Sequence, residues 1–387
     1  MTFADSLAEL NEWHFFQEFV YSKNTFRPAP PQTEVELADS VLWLGDLLLA
    51  FQLKERKPTS EPTETSERKW FDKKILDEAT RQIRDTLRYL EENRSISLKN
   101  HRGHERTLES GKLKQIHKLV VYLPDKKLPE DCLSKKYHES RTAGVIHIIP
   151  AQDYLGIVKT LLTPVEVADY LDFREELIAT WGHRINELPE PALVGQFLEG
   201  DSSVEPSLNF LERLRALDHR ADEWDMSGII SNFPDRVTTD NAPTDYYPII
   251  AELASLKRNE LKEFKARFQL AVERSRANKF ALPYRIAIPR TDCGFVFIPL
   301  TIDLFEHRRT ALLNMTLAHK YDQRLSKCVG VVIGGHEQGW FHSDWCFAES
   351  PWQPDQDMDK LLAANNPFRE VKVGELPRYT YKQPVGR

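Results

Sequence analysis

Apolar and polar positions alternate with different periods along the chain. Between Phe3 and Tyr21, Leu7, Leu10, His14 and Phe19 recur near helical spacing, which predicts an amphipathic helix. The three prolines between Asn24 and Thr33 predict a loop. Two apolar runs follow, Val41–Leu44 and Leu47–Leu53, on either side of Gly45-Asp46. They predict a β-hairpin. Both runs are apolar on both faces, so their place is the middle of a sheet covered on both sides. The Pro/Thr/Glu-rich stretch 58–67 reads as a mobile loop. From Trp70 to Asn93, Ile75, Ala79, Ile83, Thr86, Leu87 and Leu90 make one face of a helix. Residues 94–114 are polar and locally basic. Leu119–Leu123 and Val145–Ile149 read as strands. Helices follow at 152–162 and 164–181, the second with Thr163 as its N-cap, Pro164 at its first position and Glu166 at its third.

The first 150 residues thus read α–β–β–α–β–β. Farther on, 189–206 reads as a linker or long loop, and 207–224 and 248–278 as helical. Strands are expected at 285–288 and 294–300, and a helix at 304–322. A hairpin is built from 329–333 and 340–347. The expected organisation is an α/β domain over 1–185, a mixed central sheet flanked by helices, then a separate α+β domain over 190–387.

Composition changes this picture little. The balance is that of a soluble globular protein, with 41% hydrophobic and 29% charged residues. Fifty-two Lys and Arg against 59 Asp and Glu give a net charge of −7, so any contact with nucleic acid must rest on a local patch. Cys132, Cys293, Cys328 and Cys346 are scattered, without a Cys-x-x-Cys pair, and read as reduced thiols. No secretory signal opens the sequence, and no apolar run reaches the roughly 18 residues of a membrane span. A cytoplasmic protein without a membrane partner is expected.

The candidate chemistry lies on the first hairpin. Asp39 stands at the entry of its first strand, and Gln52 and Lys54 near the exit of its second. Residues two apart on a strand share a face, and the turn at Gly45-Asp46 folds both strand ends together. A carboxylate, an amide oxygen and an ammonium then meet at one end of a sheet. Mg²⁺ takes oxygen ligands, one or two of them carboxylates, and keeps several waters. Asp39 suits the principal ligand, the Gln52 carbonyl a neutral one, and Lys54 the group that orients water and offsets developing charge.

Asp39, the hairpin, Gln52-Leu53-Lys54 and the following helix with Ala79 and Gln82 resemble, in this order, the core of the PD-(D/E)xK nuclease superfamily, which includes restriction endonucleases and Holliday-junction resolvases. Gln-x-Lys is similar to the Mrr-like restriction enzymes. The resemblance covers roughly residues 5–150. It implies a restriction-endonuclease-like fold, a Mg²⁺ (or Mn²⁺) site and phosphodiester hydrolysis, with DNA the favoured substrate and restriction or phage defence the setting. It also implies a metal-binding glutamate on the first helix, Glu18 or else Glu12. Ala38 stands where the signature has proline, and Gln52 lacks the usual charge, a deficit that Glu36 or the helix glutamate would make good. Beside this stand an RNA nuclease and a non-catalytic nucleic-acid-binding scaffold with a degenerate nuclease fold.

Residues 94–118 concentrate positive charge. Arg102, Arg106, Lys112 and Lys114 are the candidate phosphate contacts, and a solvated loop is the plainer alternative. Trp340, Phe341, Trp345, Phe347 and Trp352 concentrate aromatic surface in the C-terminal half. They read as core more readily than as a stacking platform. That half is expected to recognise the target or a protein partner. The sequence leaves the oligomeric state open.

Overall fold

The computed structural model describes residues 2–22, 24–28, 33–56, 61–217, 242–337 and 340–370, with positions 237, 239 and 374. They divide into two compact units, one up to residue 217 and one from residue 237. Both are mixed α/β, each with its own mixed sheet.

In the first unit, helix α1 (Phe3–Phe15) leads into β1 (Val20–Tyr21), the short pair β2 (Thr25–Phe26) and β3 (Val35–Glu36), and the hairpin β4 (Ser40–Leu44) and β5 (Leu47–Glu55). Gly45 at the turn has φ +59°, a conformation that costs glycine no Cβ clash. A long helical passage follows: α2 (Glu64–Trp70), a π-helical stretch Phe71–Ala79, and α3 (Thr80–Glu92). Then come the hairpin β6 (Ser95–Lys99) and β7 (Glu105–Glu109), β8 (Gln115–Leu123), a short α4 (Glu130–Leu133), β9 (Tyr137–Ser140) and β10 (Gly144–Pro150). The central sheet has the order β1-β4-β5-β8-β10-β9. Neighbours β5, β8 and β10 run parallel and the other pairs antiparallel.

Alternation along β5 sorts its side chains between two cores. Leu48 and Ala50 join Val41 and Trp43 against Leu90 of α3 and the β6–β7 hairpin. Farther across the same face, Phe71, Ile75, Ala79 and Ile83 pack on Val120, Tyr122, Ile146 and Ile148. Those four helical residues are spaced by fours. An α-helix alone would rotate such a row steadily off the sheet, and the wider π turns hold it in place. Phe51 points to the other face and meets Tyr154 of α5 (Ala151–Leu161) at 5.7 Å, edge to face. The Tyr154 hydroxyl donates to Asn11 of α1 at 2.8 Å.

Three expectations need correction. The basic stretch after residue 94 is not a loop but carries β6 and β7, because Ile96, Leu98 and Leu108 supply the inward side of a small hairpin. The first helix ends at Phe15, and Gln17–Phe19 is a 3₁₀ turn. The linker expected after Pro189 is α7 (Glu190–Glu199), whose residues are nearly all buried. It belongs to the first unit, since Glu190 is locked to Arg174 of α6 (Pro164–Trp181), and Phe197 packs on Tyr170 and Phe173. The boundary therefore falls after α8 (Leu211–Ala216), not near residue 185. A fragment ending at residue 217 is expected to be soluble and to melt cooperatively. One ending at 189 should aggregate, because it leaves Arg174 buried without its carboxylate. Equal behaviour of the two fragments in size-exclusion chromatography and thermal melting would refute this boundary.

The second unit places α9 (Tyr247–Ala254) and α10 (Arg258–Arg276) before a four-stranded sheet, β11 (Tyr284–Ile288), β12 (Cys293–Pro299), β13 (Lys327–Glu337) and β14 (Trp340–Glu349), in that order. Strands β12 and β13 are parallel, joined across α11 (Arg308–Asp322), and α12 (Gln356–Ala364) follows β14. Trp345 stacks against Phe268 of α10, and Trp352 lies against Tyr321. Both tryptophans are half-buried packing elements rather than a free stacking surface. All four cysteines are free thiols. No helix among the described residues is long and apolar enough to cross a membrane.

Candidate active site

Asp39 precedes β4, and its Oδ2 accepts from the Leu53 amide of β5 at 2.6 Å. That bond ties the entry of one hairpin strand to the exit of the other. The Lys54 Nζ lies 3.8 Å from the same oxygen. The ladder pairs Ser40 with Phe51, so its continuation sets Asp39 opposite Gln52. Opposite residues of an antiparallel pair share a face, and so do Gln52 and Lys54. Asp39 and Lys54 are thus brought together, and the strand register turns Gln52 to the same face. Gln52 is 2% exposed, and its Oε1 has no hydrogen-bond partner among the described residues. A buried carbonyl in that state is costly unless something else occupies it.

The surroundings hold these groups in place. Asn24 is fully buried, and its side chain accepts from the Ala38 amide at 2.9 Å while donating to the Tyr21 carbonyl. Thr86 of α3 donates to the Leu37 carbonyl at 2.5 Å. Together they fix the two residues before Asp39. On the other side, Lys54 Nζ donates to Gln82 Oε1 of α3 at 2.6 Å and lies 3.9 Å from Glu78 in the π-helical stretch. Glu78 also pairs with Lys74, and that hydrogen bond holds its carboxyl below the usual range against a smaller desolvation effect. The Glu36 carboxyl is pushed up, first by loss of solvent and then by the charge of Asp39, with Lys54 opposing. Glu36 and Glu78 therefore border the site. Arg56 donates to the buried Glu67 of α2 at 2.9 Å and anchors the end of β5 to the crossing helix.

The expected first-helix glutamates lie elsewhere. β1 runs antiparallel to β4, with Val20 opposite Leu42, so Glu18 sits toward the turn end of the hairpin and Asp39 at the other end. Glu18 is 1% exposed and accepts from Arg102 Nε at 3.1 Å. Glu12 meets His101 Nδ1 at 2.9 Å. Glu18, expected at a metal, and Arg102, expected on phosphate, thus neutralise each other within the chain. The other basic candidates also sit toward the turn. Lys114 pairs with Asp46 at 3.0 Å, Lys112 with Glu109 at 3.0 Å, and the Arg106 guanidinium covers the Trp43 ring at 4.9 Å. Along β5 the turn lies about 25 Å from Lys54, at roughly 3.3 Å per residue. The structure does not bring Arg102, Arg106, Lys112 and Lys114 to Asp39 and Lys54.

A second polar cluster occupies the opposite face of the sheet, which no sequence pattern announced. His117 of β8 and His147 of β10 have ring centroids 6.4 Å apart, and the Glu175 Oε1 of α6 lies 3.4 Å from His147 Nε2. Ligand atoms of these three residues lie within 4.8 Å of one another, a spacing that could hold a metal ion. Burial lowers both imidazoles to about 4. Asp172, 3.7 Å from His117, is raised to about 6 by burial and by its acidic neighbours Glu175, Asp169 and Glu176. The contact that decides the chemistry is Arg174 Nη1 to His147 Nδ1 at 3.0 Å. A guanidinium only donates, so Nδ1 must accept, and the proton of the neutral ring sits on Nε2 facing Glu175. A protonated Nε2 has no lone pair for a metal. The Arg174–His147 bond braces β10 against α6, while Nε2 of both His117 and His147 has no hydrogen-bond partner among the described residues.

No protein-family model, no curated protein and no solved structure matches this chain.

Proposed function

We propose that the first unit is a metal-dependent nuclease of restriction-endonuclease-like fold that hydrolyses phosphodiester bonds, with DNA as its substrate. The observation that carries the reading is the 3.8 Å approach of Lys54 to Asp39 at one sheet end, with the unpartnered Gln52 carbonyl on the same face. The element order supports it: an antiparallel hairpin and then the helix carrying Gln82 follow one another as the resemblance implies. The residues suit a divalent cation, because Asp39 offers a carboxylate and Gln52 a buried oxygen without a partner. Bound there, Mg²⁺ or Mn²⁺ would acidify a water and polarise the scissile phosphate. Lys54 holds its ammonium beside that position through Gln82, where it orients water and offsets charge developing on phosphate. Asn24 and Thr86 keep the Asp39 backbone in place.

The test is cleavage of plasmid DNA, single-stranded DNA and RNA by the full chain with Mg²⁺ or Mn²⁺. Cleavage should stop on chelation and be lost in Asp39→Asn. A wild-type protein that binds nucleic acid at fixed salt yet cuts none of the three with either metal would refute the enzyme and leave a scaffold. The uncharged Gln52 and the neutralised basic candidates favour that second reading.

A further inference from the structure

We propose that Glu78 is the second carboxylate of the cation site and supplies the charge that Gln52 lacks. This rests on the nuclease reading above, and it assigns a residue on the crossing helix in place of the expected acid on the first helix.

Asp39 and Glu78 flank one positive charge. Lys54 Nζ lies 3.8 Å from the first and 3.9 Å from the second, so one ammonium ties both carboxylates to the same end of the sheet. Their side chains are 26% and 27% exposed, open enough for a hydrated cation to enter. A divalent cation and the ammonium would repel each other if Lys54 depended on those carboxylates for its place. It does not. Its shortest bond is to Gln82 Oε1 at 2.6 Å, a neutral acceptor one turn beyond Glu78. A neutral anchor lets Lys54 stay while the carboxylates turn to a metal.

A pair of acids alone would not define a site. The independent pointer is Gln52, whose buried Oε1 lies on the same sheet face and lacks a partner. One carboxylate and one amide make a weak pair for Mg²⁺, which takes one or two carboxylates in protein sites. Glu78 makes the second. Its present partner Lys74 is 41% exposed, and an ion pair of that kind holds weakly. The π-helical stretch sets the orientation. It keeps Ile75 and Ala79 against the sheet, so Glu78, next to Ala79, lies at the border of the packed face beside Lys54.

Titration calorimetry of the full chain with Mn²⁺, without nucleic acid, tests this. Wild type should bind the ion. Glu78→Gln should weaken binding by about tenfold or more, at least the scale of losing an outer-shell partner. Lys74→Gln should bind as well as wild type or tighter, since it frees Glu78. Glu36→Gln should stay within about twofold. Denaturant curves confirm that each variant folds. If Asp39→Asn loses the ion while Glu78→Gln keeps wild-type affinity, Glu78 is only a helix-surface acid and the nuclease reading stands. If Glu36→Gln carries the loss instead, the second carboxylate is Glu36 and the proposal falls. If wild type binds no Mn²⁺, both readings fall together.

Discussion

Lys54→Ala should lower the rate of metal-dependent cleavage by about 10²–10³, the scale set by removing one preorganised charge-stabilising donor, while leaving nucleic-acid affinity nearly unchanged. The ammonium sits at a single point, 11% exposed, between Asp39, Glu78 and Gln82. Its work is on the attacking water and on charge that appears only as the reaction proceeds. A group of that kind contributes little to ground-state binding. Its loss also leaves Asp39 and Glu78 without the ammonium they share, so apparent Mn²⁺ affinity should hold or rise even as turnover falls. That opposition separates a chemical role from a structural one, because a misfolded site would lose both. The measurements are single-turnover cleavage and Mn²⁺ calorimetry on the same preparation, with binding titrated at fixed salt. Cleavage at the wild-type rate would reduce Lys54 to the charged end of a strand. Lys54→Arg should recover little, since a planar guanidinium cannot reproduce a point charge bonded to one amide oxygen.

Arg174→Ala should cost roughly 3–5 kcal/mol of stability, the range for breaking a buried ion pair from one side. Arg174 is fully buried. Its Nε donates to Glu190 Oε1 at 2.7 Å and its Nη2 to Glu190 Oε2 at 3.0 Å, while Nη1 reaches the Lys136 carbonyl at 3.2 Å and His147. Two cations and the Tyr170 hydroxyl hold the Glu190 carboxyl down to about 2, although burial pulls the other way. Removing the guanidinium leaves that carboxylate with Lys136, 3.3 Å away, and strips His147 of the donor that fixes its tautomer. The double replacement Arg174→Met with Glu190→Leu should recover most of the loss, since apolar groups of similar volume often replace a buried pair at little cost. Urea denaturation of the two single variants and the double variant gives the coupling directly. A loss under about 1 kcal/mol for Arg174→Ala would mean that water or Lys136 already satisfies Glu190.

The hairpin was legible in the sequence because turn chemistry and strand period are local. Gly45-Asp46 and the flanking apolar runs suffice to bring Asp39 to Gln52 and Lys54, whatever the rest of the chain does. Gln82 could be picked out by its place after Ala79, but its bond to Lys54 could not. The residues around them were hidden for a physical reason. Asn24, Thr86 and Glu78 act through contacts set by where a distant helix lands, and nothing in their neighbours along the chain encodes that. Glu18 shows the converse error. A glutamate on the first helix suits a metal equally well by residue type, yet the direction of β1 carries it to the opposite end of β4. The basic stretch was legible as charge but not as structure. Alternation of Ile96 and Leu98 with polar residues is a strand signal, short enough to be masked by the lysines and arginines around it. Buried networks such as Arg174 with Glu190 leave no trace in composition, because each member reads as an ordinary surface charge until its partner is known.

The placement of β5 has a consequence for synthesis. Asp39 and Lys54 belong to one hairpin, which can close in about 1–10 μs once its strands have emerged. The parallel partner of β5 is β8, and the chain must first complete the whole helical passage and the β6–β7 hairpin. At roughly 5–20 residues per second, the ribosome takes on the order of ten seconds to deliver it. During that interval β5 is an apolar strand with one unpaired edge, the kind of template on which other chains add. Lys54 and Glu55 at its end are the charges positioned to discourage such pairing, so the lysine that would serve a reaction in the finished protein also guards its nascent form.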